Sequence, residues 1–150
     1  MKKKIWTSAL SVTLTSVIIK VIFILCVGAA FYAPTGIPQY STIFEKNVEL
    51  QLFICFYFCI ALAIVALITL NKLIANIHNG NIFTESSVKC LRLLSWCCYF
   101  VAIATLVYSI FDMPFLIISA AAAFFGLILR VVKNVFEEAV KIREENDYTI

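Results

Sequence analysis

The chain alternates between long runs with almost no charge and short segments that hold nearly all of it. Four apolar runs stand out, at about 12–33, 50–70, 93–111 and 115–132. A helix needs about 20 mainly apolar residues to cross a hydrocarbon core, and the four runs are of that order. Their apolar residues go all round the helix instead of forming one stripe, unlike the surface helices of a soluble protein. The runs are also too long and too continuous for buried strands. The pattern predicts an all-α protein, an integral membrane four-helix bundle forming a single domain over 1–150. The fourth helix is expected to extend beyond the membrane as a tail over 133–150.

Lys and Arg set the direction of threading, because short cytoplasmic loops retain them. Four spans place both termini on one side. That side holds Lys2, Lys3, Lys4, Lys72, Lys89, Arg92, Arg130, Lys133, Lys141 and Arg143, and the other holds only Lys46. Both termini are therefore expected in the cytoplasm and the protein in the cell membrane. The first run is longer than the core of a signal peptide, and three more spans follow it, so it reads as a retained anchor.

Pro34, Gly36 and Pro38 are expected to end the first helix and to leave the external segment 34–49 irregular. Asp112, Met113 and Pro114 allow only a tight turn, so the third and fourth helices should be antiparallel neighbours. Ser119 with Ala123, and Ala122 with Gly126, place small residues four apart on the fourth helix. That spacing permits close backbone approach, within the chain or in a homo-oligomer.

On the basic side, Asn79-Gly80 marks a turn. Thr84 is suited to cap a helix start. Phe83 and Val88 stand at the positions of a hydrophobic staple, and Glu85 adds a favourable charge at the helix N-terminus. The third helix should thus begin near Glu85, with Lys89 and Arg92 at headgroup level. In the tail, Val132, Val135, Phe136, Ala139 and Val140 recur at three- and four-residue spacing. Lys133, Glu137, Lys141 and Glu145 follow one another at i,i+4, which supports a helix. The apolar stripe can pack on the chain's own inner loop, lie on the membrane or receive a partner; self-packing is the expectation.

Composition agrees: 63% of residues are hydrophobic and 14% charged, where a soluble domain carries about a quarter. The net charge of +3 is mild, and no basic stripe with interleaved aromatics supports direct nucleic-acid binding. Cys26, Cys55, Cys59, Cys90, Cys97 and Cys98 form no C-x-x-C, and His78 is the single histidine. Neither a metal site nor a disulfide framework is expected, and the cysteines read as small buried hydrophobes. No phosphate loop, H-E-x-x-H or catalytic set can be assembled, so neither an enzyme nor a cofactor is expected. Lys20 is the exceptional charge. It shares a helical face with Thr13 and Ser16, either lining a polar seam or snorkelling to the inner headgroups.

Three stretches carry a family resemblance. They are Thr15-Ser16-Val17-Ile18-Ile19-Lys20, the segment from Asn71-Lys72-Leu73-Ile74 through Gly80 to Arg92, and the C-terminus from Ala139 to Ile150. Over about Thr15 to Ile150 the chain resembles the bacterial membrane proteins grouped as domain-of-unknown-function family 2975. Its members typically end in Glu-Asn-Asp-Leu-Thr-Ile or Val; here Tyr148 stands in place of the leucine. The resemblance implies four transmembrane helices and places Lys20 at the membrane boundary. It implies no activity. Genes of the family often neighbour a small helix-turn-helix regulator of the Cro/C1 type, which by analogy implies a cytosolic partner of that kind. The partner surface would comprise Phe83, Thr84, Glu85, Lys89 and Arg92 with Glu144, Glu145, Asn146 and Asp147. The alternative is a small transporter, channel or export accessory working through Thr13, Ser16 and Lys20. The external segment is shorter than in many relatives, which weakens the idea of an external sensor.

Overall fold

The computed structural model describes residues 2–43, 49–79 and 83–148; side chains are described from residue 12, except at 41, 43, 147 and 148. Four helices follow one another: α1 Lys2–Ile43, α2 Glu49–His78, α3 Glu85–Tyr108 and α4 Pro114–Tyr148. The shortest, α3, has 24 residues. At 1.5 Å per residue it is about 36 Å long, enough to cross a core of about 30 Å. All four are long and apolar enough to span a membrane. Phe31, Ile110, Ile117 and Phe124 are among many large side chains left exposed. An apolar surface of that extent is stable in lipid and not in water.

Two expectations need correction. The first helix does not stop at Pro34; α1 runs through Pro34 and Pro38 to Ile43. A proline cannot donate to the carbonyl four residues back, which for Pro34 is Ala30. The hydroxyl of Tyr57 on α2 donates to that freed carbonyl at 3.1 Å. The Pro38 carbonyl accepts from the Thr42 hydroxyl at 2.9 Å, and that of Tyr32 from Thr35 at 2.8 Å. Side chains thus supply part of the hydrogen bonding around the prolines, as in other membrane helices. The described part of the expected external segment is therefore helical to Ile43 and again from Glu49; Lys46 lies outside the described residues.

A test follows from this arrangement. Tyr57→Phe is expected to destabilise the protein by about 0.6 kcal/mol, a typical interhelical hydrogen bond in lipid. In a Pro34→Ala background, where the amide of residue 34 satisfies Ala30, the same change should cost nothing. Unfolding in micelles measures both, and equal losses in the two backgrounds would refute the account.

Each helix packs on the next: α1 on α2, α2 on α3, and α3 on α4. The antiparallel α3–α4 pair is joined by the expected tight turn, with Ser109 capping α3. On α4 the residues Phe115, Ser119, Ala122, Gly126, Leu129, Lys133, Phe136 and Val140 are all buried or half-buried. Their alternating steps of four and three make a continuous coiled-coil seam, which carries the helix pair from one end of the molecule to the other. Ser119 Oγ donates to the Ala102 carbonyl across it at 2.7 Å. A Cβ on Gly126 would lie 3.1 Å from the Tyr99 ring. The small residues foreseen on α4 therefore serve the approach to α3.

Two clusters close the structure at its ends. Ala33 and Ile37 of α1, Leu52 of α2 and Tyr108 of α3 form one, with Phe115 of α4 packed against it. There the Tyr40 hydroxyl donates to Asp112, a buried carboxylate in the α3–α4 turn, and so pins the far end of α1. The other cluster, at the basic end, comprises Leu73, Cys90, Leu91 and Leu94, with Leu129, Val132 and Phe136 against it. Among the described residues it draws on α2, α3 and α4 but not on α1.

Candidate functional site

The basic end is built by the start of α3 and the tail of α4. Thr84 has extended backbone and caps α3; its hydroxyl accepts from the Ser87 amide at 3.4 Å and lies 3.2 Å from Ser87 Oγ. Ser87 is 0% exposed. Asn76 Nδ2 donates to Ser86 Oγ at 3.3 Å and ties the end of α2 to this turn. Gly80 of the expected turn lies outside the described residues.

The tail packs on its own chain, as expected. The Phe83 ring lies against Phe136 with centroids 5.4 Å apart, while Val88 of the expected staple is buried. Arg143 Nη1 donates to the Phe83 carbonyl at 3.5 Å, and Arg92 reaches Glu137 at 3.5 Å. Lys133 lies 2.6 Å from Glu137. That hydrogen bond and the charge behind it hold the Glu137 carboxyl below its ordinary pKa. A lowered value means that the pair stabilises the fold at neutral pH and loses its contribution as pH falls through the folded-state pKa.

Docking of the tail leaves a groove of about 340 Å³ between α3 and α4, lined by Glu85, Val88, Lys89, Arg92, Glu137, Val140, Lys141 and Glu144. Two valines form its apolar part, with three acids and three bases around them. Lys89 pairs with Glu85 at 3.1 Å along one wall. Of the residues singled out in the sequence, Glu85, Lys89, Arg92 and Glu144 line this groove. Thr84 and Phe83 precede α3 and are not in the groove's lining. Glu145 and Asn146 are exposed farther along the tail, and the side chain of Asp147 lies outside the described residues. Sequence reasoning missed Glu137, Lys141, Val88 and Val140 as lining residues. The i,i+4 run from Lys133 through Glu137 and Lys141 was the available signal.

Lys20 sits elsewhere, between α1 and α2. Thr13, Ser16 and Lys20 line a cleft of about 290 Å³ together with Asn71 and His78 of α2. A second void of about 420 Å³ adjoins it, with Ile19, Phe23, Leu67 and Ile68 in its wall and again Lys20 and Asn71. Among the described residues no group of three His, Cys, Asp or Glu side chains is placed to hold a metal ion.

Four apolar helices, the last two paired along a tight seam and ending in a polar platform, define a multi-pass membrane protein. The chain belongs to the family described as protein of unknown function (DUF2975), whose match covers residues 6–150. No curated protein and no solved structure matches it.

Proposed function

We propose that this is a regulatory, non-enzymatic protein of the cell membrane whose α3–α4 groove binds a cytosolic helix-turn-helix transcription regulator. The observation that carries the reading is convergence. Glu85, Lys89 and Arg92 meet Glu144 across more than fifty positions of sequence in one groove. The basic end, with both termini, is assigned to the cytoplasm by the preference of Lys and Arg for that side. Groove walls of both signs suit a protein segment bearing both charges, whereas a nucleic-acid backbone would meet Glu85, Glu137 and Glu144. A photo-crosslinking residue at position 89 in native membranes tests this. It is expected to capture a DNA-binding regulator, and Lys89→Glu with Arg92→Glu to lose that partner. No regulator captured, together with unchanged transcription on deletion of the gene, would refute the proposal.

A small transporter, channel or export accessory is the second reading. It is favoured by the meeting of Thr13, Ser16 and Lys20 with Asn71 and His78 in one cleft. It requires that this path continue across the membrane, whereas the regulator reading asks nothing of α1.

A further inference from the structure

The cleft between α1 and α2 has a graded wall. Toward the basic end it gathers polar groups, with Ser16, Asn71 and His78 beside Lys20 among aliphatic side chains such as Val17 and Ile74. Toward the membrane interior it is apolar, with Ile19, Phe23, Leu67 and Ile68. Lys20 and Asn71 belong to both parts and mark the transition. Among the described residues only α1 and α2 line it, so it opens sideways from the helix pair.

The charge there is unbalanced. α1 contains no Asp or Glu, and the single acid of α2, Glu49, stands at its opposite end. None of the ion pairs found among the described residues involves Lys20. An ammonium against a low-dielectric wall is costly without a counter-charge. A counter-ion arriving from the side must itself partition into the membrane.

We propose that this cleft binds one anionic phospholipid from the leaflet on the basic side. Its phosphate lies against Lys20 among the hydroxyl, amide and imidazole groups of Ser16, Asn71 and His78. Its acyl chain runs along Phe23, Leu67 and Ile68. Among the described residues α1 takes no part in the core cluster of the basic end, and the lipid adds to its packing on α2 there. The site is separate from the α3–α4 groove and does not depend on its partner.

A fluorescence experiment on the full chain tests this. Phe23→Trp supplies a reporter inside the cleft, with Trp6→Phe and Trp96→Phe removing the native indoles. The protein is placed in vesicles of phosphatidylcholine containing a small fraction of brominated phosphatidylglycerol, or of brominated phosphatidylcholine as control. The anionic lipid is expected to quench at lower mole fraction by about fivefold, the usual advantage of one cationic residue near an anionic headgroup. Lys20→Met should abolish that preference and Lys20→Arg keep it. Lys20→Met removes a charge from lipid and is expected to fold; its unchanged helical content, read by circular dichroism, shows that it has. Equal quenching by the two headgroups, or a preference that survives Lys20→Met, would overturn the proposal. So would displacement by inorganic phosphate, which would make this a site for soluble anions.

Discussion

Replacing Gly126 by valine is expected to separate α3 from α4 at a cost of about 1–3 kcal/mol, the range for overpacking a filled interface. A Cβ at position 126 would already meet the Tyr99 ring at 3.1 and 3.2 Å and the Cys98 Cβ at 3.3 Å. The Tyr99 ring can swing aside, but the Cys98 Cβ is fixed to the α3 backbone. Alanine should therefore be tolerated with a slight shift, while the two γ carbons of valine force the helices apart. The same displacement would strain the Ser119–Ala102 hydrogen bond farther along the seam. Reversible unfolding in micelles gives the magnitude. Stability unchanged in the valine variant would mean that the close approach is dispensable.

Phe136→Ala is expected to release the tail from the basic end while leaving the four spans in place. The ring is half-buried against Phe83 and the Leu73, Cys90, Leu91 and Leu94 cluster. Its loss should cost about 2 kcal/mol, less than the ~3–5 kcal/mol of a fully buried phenylalanine. Hydrogen exchange over 133–148 should speed up by more than tenfold, since about 1.4 kcal/mol corresponds to a factor of ten. Val135→Ala serves as control, because Val135, expected in the same apolar stripe, is instead exposed. Unchanged exchange in the Phe136 variant would show that the remaining contacts, Arg92–Glu137 among them, hold the tail alone. With the tail released the α3–α4 groove loses one wall, so the proposed partner should be lost in the same variant.

The two variants probe parts of one seam that differ in how well sequence reveals them. In the tail, water selects a polar face, and the spacing of Val132, Val135, Phe136, Ala139 and Val140 points to the packed side, although Val135 is exposed in the structure. Inside lipid that contrast disappears, because both the packed and the lipid-facing sides are apolar. Only the small residues betray the seam there: Ser119, Ala122, Ala123 and Gly126 stand at i, i+3, i+4 and i+7 on one face. In the structure all four are buried or half-buried, and Ser119, Ala122 and Gly126 run in the same alternation of fours and threes as the tail.

The number of helices, their apolar surfaces, the start of α3 at Glu85 and the continuation of α4 through the charged tail follow from the sequence by itself. They depend on local chemistry: hydrophobic length, a capping threonine, and paired charges one turn apart. Tertiary structure alone decided that α1 passes through Pro34, because the hydroxyl that completes Ala30 comes from Tyr57 on another helix. It also decided that Tyr40 meets Asp112, that Lys20 shares a cleft with Asn71 and His78, and that Glu137 and Lys141 face Lys89 and Arg92. Each of these joins residues on different elements of the fold, and no local pattern along the chain carries the distance between them.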